Sequence, residues 1–368
     1  MRITFVLHEL PGAGTGRVVT YMANYWAEKG HEVTILTYDF NSRVSYPLHR
    51  SVRCISLELV CASRFRVEGL FRNIERIYHL RKAILSSNAD YVISFICNTN
   101  IHVLLATRFL SIPVLISERN NPERTKESRS IWSWQRRLFY PFANHLVVQN
   151  EEIKDWFRDY NSSVKVIQNP VKITIKSLEA PLEVPLPSGK LLVAMGYLIK
   201  QKGFDMLIEV FSRLRRSGHN WKLIIIGGGP LEKELRKQAK ELGIEEVVYF
   251  TGHVSNSLNI LPKCDLFVLS SRFEGFSNAL LEAMACGLPV VSFDCHYSPR
   301  ELIQHSVNGL LVPEGDLVVL ESTLSQLMQD GKMRAELGNE AKKVNQKYAP
   351  EKIMKEWEEL MNVSSNKI

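Results

Sequence analysis

Ser271-Arg272-Phe273-Glu274-Gly275-Phe276-Ser277-Asn278-Ala279-Leu280-Leu281-Glu282-Ala283-Met284-Ala285-Cys286-Gly287-Leu288-Pro289-Val290-Val291 lies between two apolar runs, Leu266 to Leu269 and Val290 to Phe293. A helix is expected over 278 to 286. Strand, helix and strand within that length make a right-handed βαβ crossover and so a parallel sheet. The stretch also sets Glu274 and Glu282 eight residues apart across the expected helix start. At roughly 100° per residue the two carboxylates fall on about the same helical side. Glu274 is expected in a mobile loop mouth before the first turn, with Glu282 two turns deeper. That suits a nucleotide-sugar better than a packed core.

Outward from this stretch the same rhythm repeats. Leu191 to Met195, Trp221 to Ile226 and Val247 to Phe250 read as strands, with helices over 203 to 217 and 231 to 242. The first half alternates likewise. Ile3 to His8, His31 to Thr37, Tyr91 to Phe95, Val114 to Ser117, Leu146 to Val148 and Val164 to Ile167 are β-rich, with helices over 17 to 29 and 67 to 87. Asn169-Pro170 closes that half, and Pro181, Pro185, Pro187 and Gly189 mark a linker. The tail from 330 to 362 is helical with a break at Pro350. Two similar α/β domains with a crevice between them follow.

The 368 residues exceed one ordinary core, and 45% hydrophobic with 23% charged residues describes a soluble globular chain. Six scattered cysteines lack any CxxC pair or zinc spacing and read as reduced. The opening apolar run is too short for a signal peptide, and no segment of about 18 apolar residues follows, so a cytoplasmic location is expected. The net charge is +7. Residues 64 to 82 carry six Lys or Arg against two acids, and 119 to 137 repeat that balance with Trp132 and Trp134 interleaved. Such a segment fits an anionic membrane surface or an acidic substrate or, equally, a solvated helix face. No nucleic-acid recognition module accompanies the charge.

The first strand runs into Pro11-Gly12-Ala13-Gly14-Thr15-Gly16-Arg17, which is not a GxGxxG fingerprint. Glycines here bring backbone amides of a helix N-terminus, with Gly14 and Arg17, close to a phosphate or sugar, or simply make a tight βα turn. Gly196-Tyr197-Leu198-Ile199-Lys200-Gln201-Lys202-Gly203 opens the second domain, with Lys202 placed as a point charge for a diphosphate. Gly227-Gly228-Gly229 makes room for a ligand at a strand's carboxyl end. No Gly-Lys-Ser/Thr follows, so ATP hydrolysis is disfavoured. Glu282 fits the two ribose hydroxyls and Glu274 a sugar near its anomeric carbon. Amides at Gly275, Phe276, Ser277 and Asn278 sit at a helix start, where phosphate is favoured.

These stretches resemble the retaining glycosyltransferases of family 4 over nearly the whole chain. The E-x7-E signature stands at Glu274 and Glu282, and Glu301-Leu302-Ile303 and Val307 to Pro313 continue the match. The resemblance implies the α/β GT-B fold, two Rossmann-like domains facing each other across a cleft. It gives an acceptor-binding domain at 1–175, a linker at 176–190, a nucleotide-sugar domain at 191–345, and a segment at 346–368 crossing back to the first domain. It assigns Glu274 to the transferred sugar, Glu282 to the donor ribose, and Lys202 to the diphosphate. Three positions depart from the family. Gly16 stands where an acid is common, Tyr197 where a diphosphate-binding arginine is common, and Arg119 in Ser117-Glu118-Arg119-Asn120 where histidine is common. Arg119 thereby becomes a candidate donor-sugar or acceptor contact, and Arg17 shares the diphosphate charge.

The implied reaction is front-face transfer of a hexose or N-acetylhexosamine from a UDP-sugar to an undecaprenyl-diphosphate-linked or polysaccharide-precursor glycan. The enzyme mainly stabilises charge on the leaving group. No permanently bound cofactor and no divalent metal are expected, because no Asp-x-Asp motif is present. The expected seat is the inner face of the cell membrane, peripherally. The alternatives are a nucleotide-sugar 2-epimerase, which converts donor without acceptor, and an inactive nucleotide-sugar or glycan binder.

Overall fold

The computed structural model describes every residue except 11–13, 40–46, 60–65, 121–122, 124–130, 174–177, 296–297 and 366–368; the side chains of 66–71, 131–132 and 363–365 are also outside the description. Pro11 to Ala13, the basic run at 124 to 130 and the Trp132 side chain therefore lie outside it. The chain divides into two compact units, Met1–Asn169 with Ile353–Ile368, and Pro170–Lys352.

The first unit holds β1 (Arg2–Leu7), β2 (Glu32–Thr37), β3 (Arg53–Ser56), β4 (Tyr91–Phe95), β5 (Val114–Ser117), β6 (His145–Val148) and β7 (Val164–Val166). They lie in the order β3-β2-β1-β4-β5-β6-β7, every pair parallel. The helices α1 (Gly14–Glu28), α2 (Arg66–Ser86), α3 (Cys97–Ala106), α4 (Ile131–Phe139) and α5 (Glu151–Phe157) connect them. Central strands are buried on both faces, which is why β4 is apolar or buried at every position rather than alternating. The helix Pro350–Ser365 belongs largely to this unit: Ile353, Met354, Trp357, Leu360 and Met361 recur at helical spacing and pack with Phe5, Trp26 and Phe95. Trp26 Nε1 donates to Glu358 at 3.3 Å, and the Tyr91 hydroxyl donates to the Met361 carbonyl at 2.7 Å. Pro350 opens this helix, where its missing N–H costs nothing.

The second unit holds β8 (Lys190–Met195), β9 (Trp221–Ile226), β10 (Val248–Gly252), β11 (Leu266–Leu269), β12 (Val290–Asp294) and β13 (Leu310–Pro313), in the order β10-β9-β8-β11-β12-β13, again all parallel. Strand periodicity sorts its two cores. Leu192, Ala194, Leu223, Ile225, Leu266 and Val268 enter one face. Leu191, Val193, Ile224, Ile226, Phe267 and Leu269 enter the other. β8 and β11 are sheet neighbours far apart in sequence, so the order reverses between them, and the crevice outside their carboxyl ends is where an open α/β sheet accepts a ligand.

The stretch expected as a linker is packed onto this unit from residue 178 onward. Val184 and Leu186 lie against its core, and Glu183 accepts from the Ser255 and Asn256 amides at 3.0 and 3.2 Å. Beyond two helical residues at 178–179 a few isolated anchors hold it, so the sequence shows no period there.

Candidate functional site

Three loops at the carboxyl ends of β8, β9 and β11 build the site in the second unit. After β8 the chain makes a 3₁₀ turn at Lys200–Lys202, ended by Gly203 in the left-handed region at φ 65°. A Cβ at Gly203 would stand 2.0 Å from the Ser270 carbonyl oxygen, so only glycine lets the turn after β8 touch the loop after β11. The two loops are laced together. The Ser270 hydroxyl donates to the Lys202 carbonyl at 2.9 Å, Gln201 Nε2 to the Phe273 carbonyl at 2.9 Å, and the Arg272 amide to the Gln201 carbonyl at 2.8 Å. Arg272 also forks onto Asp205 at 2.8 and 2.6 Å.

This lacing brings Lys202 and Glu274 together across 72 residues: Lys202 Nζ lies 2.6 Å from Glu274 Oε1. The Ser271 hydroxyl donates to the same oxygen at 2.6 Å. Glu274 is 5% exposed at its side chain and Lys202 20%. The expectation of a mobile, open mouth for Glu274 is corrected: the carboxylate is buried and held by two donors. The helix begins only at Asn278, so Glu274 lies in the loop and the helical-side argument does not apply to it. Glu282 sits inside that helix, buried, and accepts from the Ser257 hydroxyl at 3.0 Å.

The helix start differs from the expected row of phosphate-facing amides. Ser277 is the N-cap; its hydroxyl accepts from the Leu280 amide at 3.3 Å and its own amide donates to the Ser298 hydroxyl at 2.8 Å. The Ser277 amide is thus engaged internally. Phe276 is buried against Tyr348, and Gly275 and Asn278 flank it. Gly196 carries the aliphatic stem of Lys202, whose carbons would lie 3.3 to 3.4 Å from a Cβ there. Gly228 has room for a side chain, while Gly229 does not, since its Cβ would meet the Leu198 amide nitrogen at 2.5 Å. Close packing therefore flanks Gly228 on both sides, because a Cβ at Gly227 would meet the Gly196 carbonyl oxygen at 2.1 Å. Tyr197 is 57% exposed.

Gly14, Arg17 and Arg119 belong to the first unit and so are not brought together with Lys202, Glu274 and Glu282 inside either unit. Gly14 opens α1, and Arg17 lies in its first turn, partly exposed. Gly16 is explained by packing: a Cβ there would stand 2.1 Å from the Leu10 carbonyl oxygen, so no acidic side chain fits.

Arg119 follows β5 and is buried. It donates from Nη1 to the Asn169 side chain and lies over Phe95 and Trp357, 5.1 and 5.9 Å from the ring centroids. Its Nε and Nη2 have no hydrogen-bond partner, and burial without an anion lowers its basicity. Its neighbour Glu118 points the other way, pairing with Arg136 Nε at 3.1 Å and accepting from the Tyr140 hydroxyl. Sequence reading missed Ser271, Ser257, Arg272 and Asp205, whose roles arise from contacts between distant loops.

Two parallel doubly wound sheets, with a lysine–glutamate pair at the switch point of the second, define the GT-B class. The fold matches sucrose-phosphate synthase from Thermosynechococcus elongatus at a TM-score of 0.83, with 15% identity and all of both chains covered. It also matches Anabaena HepE in complex with UDP-glucose at 0.76, with 16% identity and 98% and 99% of the chains covered. Residues 12–174 match the model of Glycosyltransferase Family 4, and 183–344 that of Glycosyl transferases group 1. A Campylobacter jejuni relative is 30% identical over 98% of this chain and 98% of its own. It is the GalNAc-α-(1→4)-GalNAc-α-(1→3)-diNAcBac-PP-undecaprenol α-1,4-N-acetyl-D-galactosaminyltransferase. The chain belongs to the family of these glycosyltransferases and is itself a glycosyltransferase.

Proposed function

We propose that this enzyme moves a hexose or N-acetylhexosamine, with retention, from a UDP-sugar to a lipid-linked or polysaccharide-precursor glycan. The observation that carries the reading is the Lys202–Glu274 pair at the carboxyl ends of β8 and β11, with Glu282 eight residues further on. Lys202 neutralises the departing diphosphate, Glu274 orients the transferred sugar, and Glu282 accepts from the ribose hydroxyls. Within the second unit, Gly196, Gly228 and the Gly275 to Asn278 loop line the donor's path. Arg119 offers its unpartnered Nε and Nη2 to substrate oxygens. The Campylobacter jejuni relative's undecaprenol-linked acceptor supports the acceptor class, and UDP-glucose in Anabaena HepE supports the nucleotide.

A donor screen tests this. Purified protein is incubated with UDP-, GDP- and ADP-sugars, and nucleotide release is followed with and without a lipid-linked glycan fraction. Release from one UDP-sugar only when acceptor is present is the expected result. Conversion of donor without acceptor, or binding without turnover in every mixture, overturns it.

We further propose a peripheral seat on anionic membrane, on a surface that the structure redraws. Arg136 is 1% exposed and paired with Glu118, so it takes no part. Trp134, Leu138 and Phe142 are 61%, 45% and 43% exposed at four-residue spacing, with Arg137 exposed beside them. An apolar stripe flanked by arginine lies flat at a headgroup boundary. No described helix is long and apolar enough to cross a membrane. The double variant Trp134→Ser/Leu138→Ser should lose most of its sedimentation with phosphatidylglycerol vesicles while keeping its melting temperature. Undiminished sedimentation would remove this surface from consideration.

A further inference from the structure

Glu282 does not stand alone. Its Oε2 accepts from the Ser257 hydroxyl at 3.0 Å, and both residues are buried, at 6% and 4% exposure. Ser257 begins a 3₁₀ turn, Ser257–Asn259, in the loop after β10. That turn is capped by Asn256, whose side chain accepts from the Leu258 amide at 3.2 Å. The loop is in turn tied to the segment before β8. Glu183 accepts from the Ser255 amide at 3.0 Å on both carboxylate oxygens, from the Asn256 amide at 3.2 Å, and from the Ser255 hydroxyl. Asn259 Nδ2 donates to the Pro181 carbonyl at 2.8 Å. The hydrogen bonds from Ser255 hold Glu183 below its usual carboxylate range, so this anchor stays ionised at neutral pH.

A carboxylate inside a helix has a swinging side chain. A ligand that offers two vicinal hydroxyls needs both of its oxygens at a fixed angle. A hydroxyl donor on one oxygen, itself fixed by a braced loop, stops the swing. We infer that Ser257 is a positioning residue for the nucleotide's ribose: it orients Glu282, and the Glu183 clamp holds Ser257 in place. This rests on reading Glu282 as the ribose carboxylate. No motif marks Ser257, and neither the family signature nor the glycine loops contain it.

The test compares UDP with 2′,3′-dideoxyuridine diphosphate by calorimetry. Ser257→Ala should weaken UDP roughly tenfold, the effect of one hydrogen bond to a charged group, and leave the dideoxy analogue unchanged. Glu183→Gln, an exposed substitution, should give the same selective pattern with a smaller loss. A serine that merely fills the core would weaken both nucleotides alike, or lower the melting temperature with no nucleotide selectivity; either result overturns the proposal. Glu282→Gln is the control for the underlying reading. If it discriminates UDP from the analogue while Ser257→Ala does not, the positioning role fails and the ribose carboxylate stands. If Glu282→Gln weakens both equally, or the wild type has no affinity for UDP, both fall.

Discussion

Lys202→Ala is expected to lower turnover by about 10² to 10³, the usual consequence of removing one preorganised charge donor from a developing anion. The lysine is held in place by the lacing of the β8 and β11 loops, yet its side chain keeps 20% exposure, so an incoming phosphate can reach it. Without ligand its partner is Glu274, 2.6 Å away. In the proposed reading, donor binding exchanges this internal ion pair for a diphosphate. The substitution also leaves the Glu274 carboxylate with the Ser271 hydroxyl as its side-chain donor and without the lysine's counter-charge. Removing one partner of a fully buried pair costs roughly 3–5 kcal/mol; about 2 kcal/mol is expected here because the lysine is partly solvated. The two effects separate in a double-mutant cycle with Glu274→Gln. The pair Lys202→Ala/Glu274→Gln should recover much of the lost stability and none of the turnover, read from melting curves and from nucleotide release. Turnover in Lys202→Ala within about threefold of wild type, well short of the loss expected for such a donor, would remove Lys202 from the chemistry.

Much of this architecture can be read before folding, and the exceptions have physical causes. The strands of both sheets are short apolar runs separated by amphipathic helices, which is the signal a parallel sheet leaves. Helix α3 escapes because eight of its ten residues from Cys97 to Ala106 are buried and the other two only partly exposed, so no polar face marks its period. β3, Arg53–Ser56, escapes for the opposite reason: it is an edge strand with three of four residues exposed and no buried alternation. At the site, Glu274 and Glu282 stand out through their glycine-framed spacing, although only Glu282 is on the helix. What spacing could not supply was the partner set. Ser257 lies 25 residues from Glu282, and Arg272 lies 67 from Asp205. Such contacts depend on which strands become neighbours, and no local pattern carries that. The basic segment shows the same limit from the other side. Arg76 and Arg81 donate to backbone carbonyls of Leu59, Ala106 and Arg108. Part of a charge run that reads as a binding face therefore holds loops.

Arg136→Met is expected to destabilise the first unit by roughly 3–5 kcal/mol, the range for breaking a buried ion pair from one side. Arg136 and Glu118 are 1% and 2% exposed at their side chains, with Nε 3.1 Å from Oε1. The Tyr140 hydroxyl donates to the same carboxylate, and the guanidinium lies over Trp156 and Phe157 at 5.9 and 5.7 Å. Burial opposes the charge, but Glu118 outweighs it and raises the Arg136 pKa. A raised cationic pKa contributes stability below the unfolded value and loses it only in strong alkali, so the effect should be flat across neutral pH. Of the six tryptophans, Trp26, Trp132, Trp134, Trp156 and Trp357 lie in the first unit and only Trp221 in the second. Tryptophan fluorescence in urea thus follows the first unit. Arg136→Met/Glu118→Gln should regain much of the loss, because the stranded carboxylate is gone. The consequence reaches Arg119, which leaves the end of β5 toward the opposite side from Glu118. If Arg119 contacts substrate as proposed, freeing Glu118 from α4 loosens the strand end that carries it, and turnover should fall in Arg136→Met even at temperatures where the unit stays folded. A variant that unfolds at the wild-type urea midpoint would mean that this buried pair contributes nothing net, and that α4 is held to the sheet by its apolar contacts alone.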